Sequence, residues 1–205
     1  MGAWRCTMTI NNPLADNSPD HEDQSLVLRA RSGDRQALED LVQRHQTWIY
    51  NIAIRMLHHP QDAEDATQDI LIKVLTRLSS FEGRSSFRTW LYRIVVNHVL
   101  NMKRGQVEVQ RASIDFASYG AALDDTPDLE LADLKVTSAE ADLLVTEEML
   151  SCTLGMLLCL DREQRLTFIL GAIFEVSDTV AAEVLEITPD NFRQRLVRGE
   201  TCAIS

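Results

Sequence analysis

The chain has 205 residues, with 20 Lys and Arg against 31 Asp and Glu, a formal net charge of -11 at pH 7 and 45% apolar residues. That apolar share can fill a real core and argues against wholesale disorder; sparse Gly and Pro, with no alternating Val, Ile and Thr runs, argue against sheet. The longest apolar-leaning run, 149–160, is well short of the roughly 20 residues a bilayer requires, and the first residues show no secretory pattern; a cytoplasmic protein with no membrane contact is expected.

Residues 1–22 are polar and without periodicity, and read as a flexible tail. A first helix is predicted over 23–31, stopped by Ser32, Gly33 and Asp34. The next is the clearest: Leu38, Leu41, Val42, His45, Ile49, Ile52, Ala53, Met56 and Leu57 recur at helical spacing until His58, His59 and Pro60 end it. A third helix is expected to start with Asp62 as its N-cap, with Glu64 and Asp65 suiting the positive end of its dipole. Its apolar stripe is Ala63, Ala66, Ile70, Leu71, Val74, Leu75 and Leu78.

After a loop at 79–86, a fourth helix carries Phe87, Trp90, Leu91, Ile94, Val95, His98, Val99 and Met102 on one face. Arg93, Asn97, Asn101 and Arg104 lie on the other. The pattern then dissolves into an acidic stretch, 106–146, expected as a linker. Thr146, Glu147 and Glu148 open a further helix, and Asp161 to Gln164 has the form of a capping box. A short helix at 179–185, a turn at Glu186 and Ile187, and a basic helix opened by Thr188 and Pro189 match a helix-turn-helix. The expected fold is all-α: two small helical domains, 23–105 and 147–205, joined by an acidic linker, the C-terminal one containing the helix-turn-helix.

The overall negative charge argues against a nucleic-acid partner until its distribution is considered. Residues 107–160 hold eleven acids and two bases, whereas 83–106 hold five bases and no acid, and 191–199 hold three arginines and no acid. Local field decides where a phosphate backbone docks. In the first basic island, Phe81, Phe87, Trp90 and Tyr92 interleave with Arg84, Arg88 and Arg93, a composition suited to single strands. Phe87 and Trp90 also fit a core stripe, which leaves the polar face and the loop as the better contacts. In the second island Arg193, Gln194, Arg195 and Arg198 offer groups that read guanine and adenine edges, although a solvated arginine face on a helical hairpin has the same composition.

Cys6, Cys152, Cys159 and Cys202 show no metal-ligand spacing and read as free thiols. No glycine-rich phosphate loop or catalytic triad pattern is present, so no enzyme activity, cofactor or metal is expected.

The motifs together resemble the extracytoplasmic-function (ECF) sigma factors of bacterial RNA polymerase. Asp62-Ala63-Glu64-Asp65-Ala66-Thr67-Gln68-Asp69 is similar to that family's polymerase-clamp segment. Ser86-Phe87-Arg88-Thr89-Trp90-Leu91-Tyr92-Arg93-Ile94, followed by Asn97 and Asn101, is similar to its promoter-melting helix. The resemblance runs strongly over 23–104 and more weakly over 147–198. It implies that Asp62, Glu64, Asp65, Gln68 and Asp69 face core RNA polymerase. It implies that the loop with Phe81, Gly83, Arg84, Ser85 and Ser86 holds a flipped base of melted promoter DNA, and that Arg88, Arg93, Asn97, Asn101 and Arg104 contact the strand or adjacent duplex. Arg193, Gln194, Arg195 and Arg198 would read the upstream element, and an anti-sigma protein would be a further partner. Glu186 stands where the family usually has a turn glycine. A free-standing helix-turn-helix regulator and a helical adaptor are the alternatives, and neither needs the acidic helix start or the aromatic-basic run.

Overall fold

The computed structural model describes residues 20–102, Leu157 and residues 160–204, and among them every regular element is helical. Arg104, the acidic stretch, the helix expected after Thr146, and Cys6, Cys152 and Cys159 lie outside the described residues.

Helix α1 (Asp20–Arg31) begins inside the stretch expected as tail; Glu22 and Asp23 sit near its start, where carboxylates complement the dipole. Gly33, at φ 95°, turns the chain into α2 (Arg35–Leu57), capped by the Asp34 carboxylate, which accepts from Ala37 N at 3.2 Å. The α2 core line is Ala37, Leu41, His45, Trp48, Ile49, Ile52, Ala53 and Met56. Trp48 goes to the bottom of the core and Leu38 only packs against its edge, so the stripe is rotated slightly from the expected one.

His58 ends α2 in a left-handed conformation at φ 57°, its N–H donating to Ile54 O at 2.8 Å. Helix α3 (Pro60–Arg77) then begins three residues before its expected start. Its N-cap is His59, not Asp62: Pro60 takes the first position, where a missing N–H costs nothing, and His59 Nδ1 accepts from Asp62 N at 3.4 Å. Asp62 is inside the first turn. A 3-10 turn (Leu78–Ser80) leads through the loop to α4 (Phe87–Asn101), capped by Ser86 Oγ accepting from Thr89 N at 3.0 Å.

In the C-terminal group, α5 (Arg162–Phe168) has the expected cap, Asp161 accepting from Gln164 N at 2.8 Å. It widens into a π-turn (Ile169–Ile173), and Leu166, Ile169, Leu170 and Phe174 are buried. Helix α6 (Asp178–Leu185) is capped by Ser177, and α7 (Pro189–Ile204) by the Thr188 hydroxyl, which accepts from Asn191 N at 3.2 Å. The α7 backbone continues through Gly199 rather than stopping there. A Cβ at Gly199 would sit 3.6 Å from the Phe168 ring, an ordinary van der Waals contact.

The two helical groups pack on each other, α4 against α6 and α5 against α2 and α4, with one continuous set of buried apolar residues. Arg165 lies at the junction, 1% exposed. Its Nη1 donates to Met56 O at 2.7 Å, Nε to Leu157 O at 2.9 Å and Nη2 to Leu160 O at 3.1 Å. Arg162 Nη1 donates to Met102 O at 2.5 Å and Leu100 O at 3.3 Å. The two arginines thereby satisfy carbonyls at the C-terminal ends of α2 and α4, where the dipole also favours a cation.

Candidate polymerase and nucleic-acid interfaces

Three surfaces carry the residues singled out in the sequence. The first is on α3. The helix buries Ala63, Ala66, Ile70 and Val74, so the helical period turns Glu64, Asp65, Gln68 and Asp69 outward. All four are exposed, and among the described residues no ion pair joins Glu64, Asp65 or Asp69. Asp62 is half-buried and lies 3.6 Å from His59 Nδ1. Ile72, 58% exposed, stands one turn beyond Gln68 and Asp69 on the same face. Sequence reasoning left it out of the apolar stripe of this helix without assigning it to a surface; its place at i+4 and i+3 from Gln68 and Asp69 was the available signal.

The second surface joins the loop before α4 to the α4 face. Phe81 is nearly buried, in an aromatic cluster with Phe87 and Trp90 at centroid distances of 5.6 and 5.3 Å. Its carbonyl accepts from Arg31 Nη1 at 3.1 Å, which fixes the loop base. Gly83 takes φ 73° at the tip, Arg84 is exposed and pairs with Glu82 at 2.6 Å, and Ser85 and Ser86 are half-buried. A cavity of about 230 Å³ opens here, lined by Gln24, Phe81, Gly83, Ser85, Ser86 and Phe87.

Arg88 is placed elsewhere. It is 5% exposed, and its Nε donates to Asp23 Oδ2 at 2.7 Å. Asp23 is fully buried and also lies 2.9 Å from Arg44 Nε and 3.3 Å from His45 Nε2. Trp48 Nε1 donates to His45 Nδ1 at 2.9 Å, so the ring proton belongs on Nε2, facing Asp23. Burial alone would raise the Asp23 carboxyl, but the His45 ring and the Arg88 guanidinium outweigh it and hold it below the ordinary carboxylate range. Tyr92 is likewise interior: it stacks on Trp48 at 4.5 Å, and burial pushes its hydroxyl pKa up.

Arg93, Asn97 and Asn101 do share a solvent-facing side of α4. They border a cleft of about 610 Å³ whose opposite wall is Lys73 and Arg77 of α3. Neither α3 cation was read as a site from the sequence; two bases at i and i+4 were the signal. Arg93 Nη2 meets Glu183 Oε1 of α6 at 2.7 Å. Lys73 donates to Nδ1 of His98, which lies on the cleft rather than deep in the core. Burial and the Lys73 charge depress the His98 pKa, with Asp69 opposing.

The third surface is the N-terminal half of α7. Phe192 is buried and Leu196 packs behind it, which leaves Arg193, Gln194 and Arg198 exposed and Arg195 half-buried. Arg193 pairs with Asp190 at 2.6 Å, and Arg195 with Glu163 at 2.9 Å. No ion pair holds Arg198 among the described residues. In the preceding turn Glu186 adopts φ 56°, with Ile187 N donating to Ala182 O at 3.0 Å.

Residues 41–108 match the family model for sigma-70 region 2. The RNA polymerase sigma-H factor of Pseudomonas aeruginosa is 41% identical over 80 residues, 39% of this chain and 42% of that relative, so the match covers less than half of the relative's length. The ECF RNA polymerase sigma-E factor of Escherichia coli K12 is 29% identical over 185 residues, covering 86% of this chain and 90% of the relative. The fold is similar to that of CnrH, solved in complex with the cytosolic domain of CnrY, with a TM-score of 0.61 and 22% identity over 89% of this chain and 94% of that one.

Proposed function

The chain belongs to the ECF-type RNA polymerase sigma factors, and on that premise we propose that it binds core RNA polymerase and directs it to promoters, where it assists melting and transcription initiation. The observation that carries this reading is the exposed Glu64-Asp65-Gln68-Asp69 face of α3, set beside the α4 face within the stretch similar to sigma-70 region 2. Acidic groups on a helix turn, with the exposed Ile72 one turn further along, suit a partner surface that offers cations beside an apolar contact.

On this reading the polymerase performs nucleotidyl transfer, and the chain lowers the cost of strand opening by capturing unpaired bases. The cavity under the Gly83 loop would take one base, its aromatic floor supplied by Phe81 and Phe87. Arg93, Asn97 and Asn101 would hold the strand beside it. Helices α6 and α7 would act as a helix-turn-helix, with Arg193, Gln194, Arg195 and Arg198 towards the upstream element. The acidic stretch would join the two DNA-contacting groups, and an anti-sigma protein would sequester the chain, as the fold-related CnrH was solved bound to a partner's cytosolic domain.

The test is capture of bacterial core RNA polymerase by the purified chain, with an Asp65→Ala/Asp69→Ala variant alongside. Tight capture by the wild type, weakened at least tenfold by the double substitution, is the expected result. A folded chain that ignores the polymerase and binds a symmetric duplex tightly would instead be a free-standing regulator.

A further inference from the structure

We propose that α1 is a brace for the loop at 81–86, and that Asp23 and Arg31 are positioning residues which hold its two ends so that the cavity under Gly83 stands ready for a base. The proposal rests on the base-capture reading and adds to it two residues that line no part of that cavity.

The loop has little of its own to keep one shape. Gly83 adopts φ 73°, and a Cβ there would meet nothing within 4 Å, so the tip stands in open space. The Arg84 and Glu82 side chains are 85% and 62% exposed, and so open a pair constrains the backbone weakly. Ser85 Oγ donates to Ser86 O at 3.3 Å, a bond between neighbours that leaves the path of the loop free. A loop ordered only at the moment of capture would subtract that ordering cost from binding.

Helix α1 supplies the constraint from far back in the chain. Arg31 Nη1 donates to Phe81 O at 3.1 Å, at the first residue of the loop. Asp23 Oδ2 accepts from Arg88 Nε at 2.7 Å, in the first turn of the helix that ends it. Asp23, Val27 and Arg31 follow at i, i+4 and i+8, along one side of α1, with Val27 buried between the two polar anchors. Those anchors are about 12 Å apart along the axis, so one rigid helix reaches both ends of the loop. Asp23 is itself fixed, 2.9 Å from Arg44 Nε and 3.3 Å from His45 Nε2 of α2. Gln24, its neighbour, forms part of the cavity wall, so α1 stands at the site as well as behind it.

Two measurements test the brace. The first is hydrogen exchange in the full chain at Phe81 N–H, bonded to Leu78 O, and Thr89 N–H, bonded to Ser86 Oγ. Arg31→Gln should speed exchange at Phe81 about fivefold, the effect of one net hydrogen bond, and leave α5 to α7 unchanged. Arg31→Lys, which can still donate to the Phe81 carbonyl, should restore the wild-type rate, and Asp23→Asn should raise exchange most at Thr89. The second measurement uses polymerase holoenzyme assembled with each chain, selecting from duplexes that carry an unpaired bubble of random sequence. Arg31→Gln should lose base preference at one bubble position, keep it at the others and capture core polymerase as the wild type does; Arg31→Lys should recover it. A loop indifferent to Arg31→Gln, or preference lost equally at every position, overturns the proposal. If Asp23→Asn loosens all helices alike, Asp23 holds the fold rather than the loop, and only the Arg31 end of the brace stands. A wild-type holoenzyme with no preference at any position sinks the base-capture reading itself, and the brace with it.

Discussion

Asp23 shows how one side chain can redirect the reading of another. Arg88 lies in a run of aromatics and bases that suggests nucleic-acid contact, yet the structure commits its guanidinium to a carboxylate 65 positions away. Nothing local in the sequence reveals that pairing, because Asp23 precedes the run by more than two helices. Asp23→Ala would take the carboxylate from a buried guanidinium and cost about 3–5 kcal/mol, measured as a shift of the urea midpoint; a loss under about 1 kcal/mol would mean the pair is only loosely buried. The pH dependence has a definite sign. The Asp23 carboxyl is held below its ordinary value of 3.8, and so is that of Asp34, chiefly by the Ala37 N–H and then by Arg29. The unfolded chain therefore binds these protons more readily, and their stabilisation is complete above about pH 4. It disappears as pH falls through the folded-state values. Urea midpoints from pH 6 downward should drop below pH 4, and less steeply in Asp23→Ala. His98 is also depressed, from 6.5, so its share is present above that pH and lost below it; His98→Gln should remove that earlier, smaller decline.

At the scale of elements, much of the fold was legible because helices announce themselves through spacing and caps. Asp161 and Thr188 accept from the first-turn N–H groups of Gln164 and Asn191, where the pattern puts them. The errors came where two signals competed for one position. Asp62 is a good capping residue, but Pro60 sets the start of α3 earlier and gives the cap to His59. The turn between α6 and α7 keeps a non-glycine residue, Glu186, at φ 56°, a conformation costing roughly 1 kcal/mol or more. Glu186→Gly should relieve that strain. Part of the gain is offset by the greater freedom of the unfolded chain, so the expected stabilisation is about 0.5 kcal/mol, seen as a small rise in Tm. A fall in Tm would show that the Glu186 side chain contributes more than its backbone strain removes.

The molecule as a whole is closed, with the C-terminal helices lying against the face of α4 that carries Arg93, and this arrangement was the least legible feature of all. It depends on contacts between distant stretches, above all the hydrogen bond from Arg165 to the Met56 carbonyl, and a backbone carbonyl leaves no mark in charge patterning. The two kinds of contact that hold the groups together differ greatly in strength. Arg93 and Glu183 are 39% and 45% exposed, and a pair so open to solvent contributes at most about 1 kcal/mol. Arg165 is buried, and it makes a charged hydrogen bond to Met56 across the junction and two more to Leu157 and Leu160. Each is worth roughly 1.5–3 kcal/mol when a charged donor is involved. Closure should therefore survive Glu183→Gln and fail in Arg165→Met, which keeps the apolar stem but leaves the Met56 carbonyl without its donor. Small-angle scattering of the full chain provides the measurement: a larger radius of gyration is expected for Arg165→Met alone, with helix content by circular dichroism close to that of the wild type. Expansion in Glu183→Gln instead would assign closure to the surface pair, and the same variant would then expose Arg93 to DNA. If neither substitution expands the chain, the apolar contacts of α6 with α4 are sufficient to hold it shut.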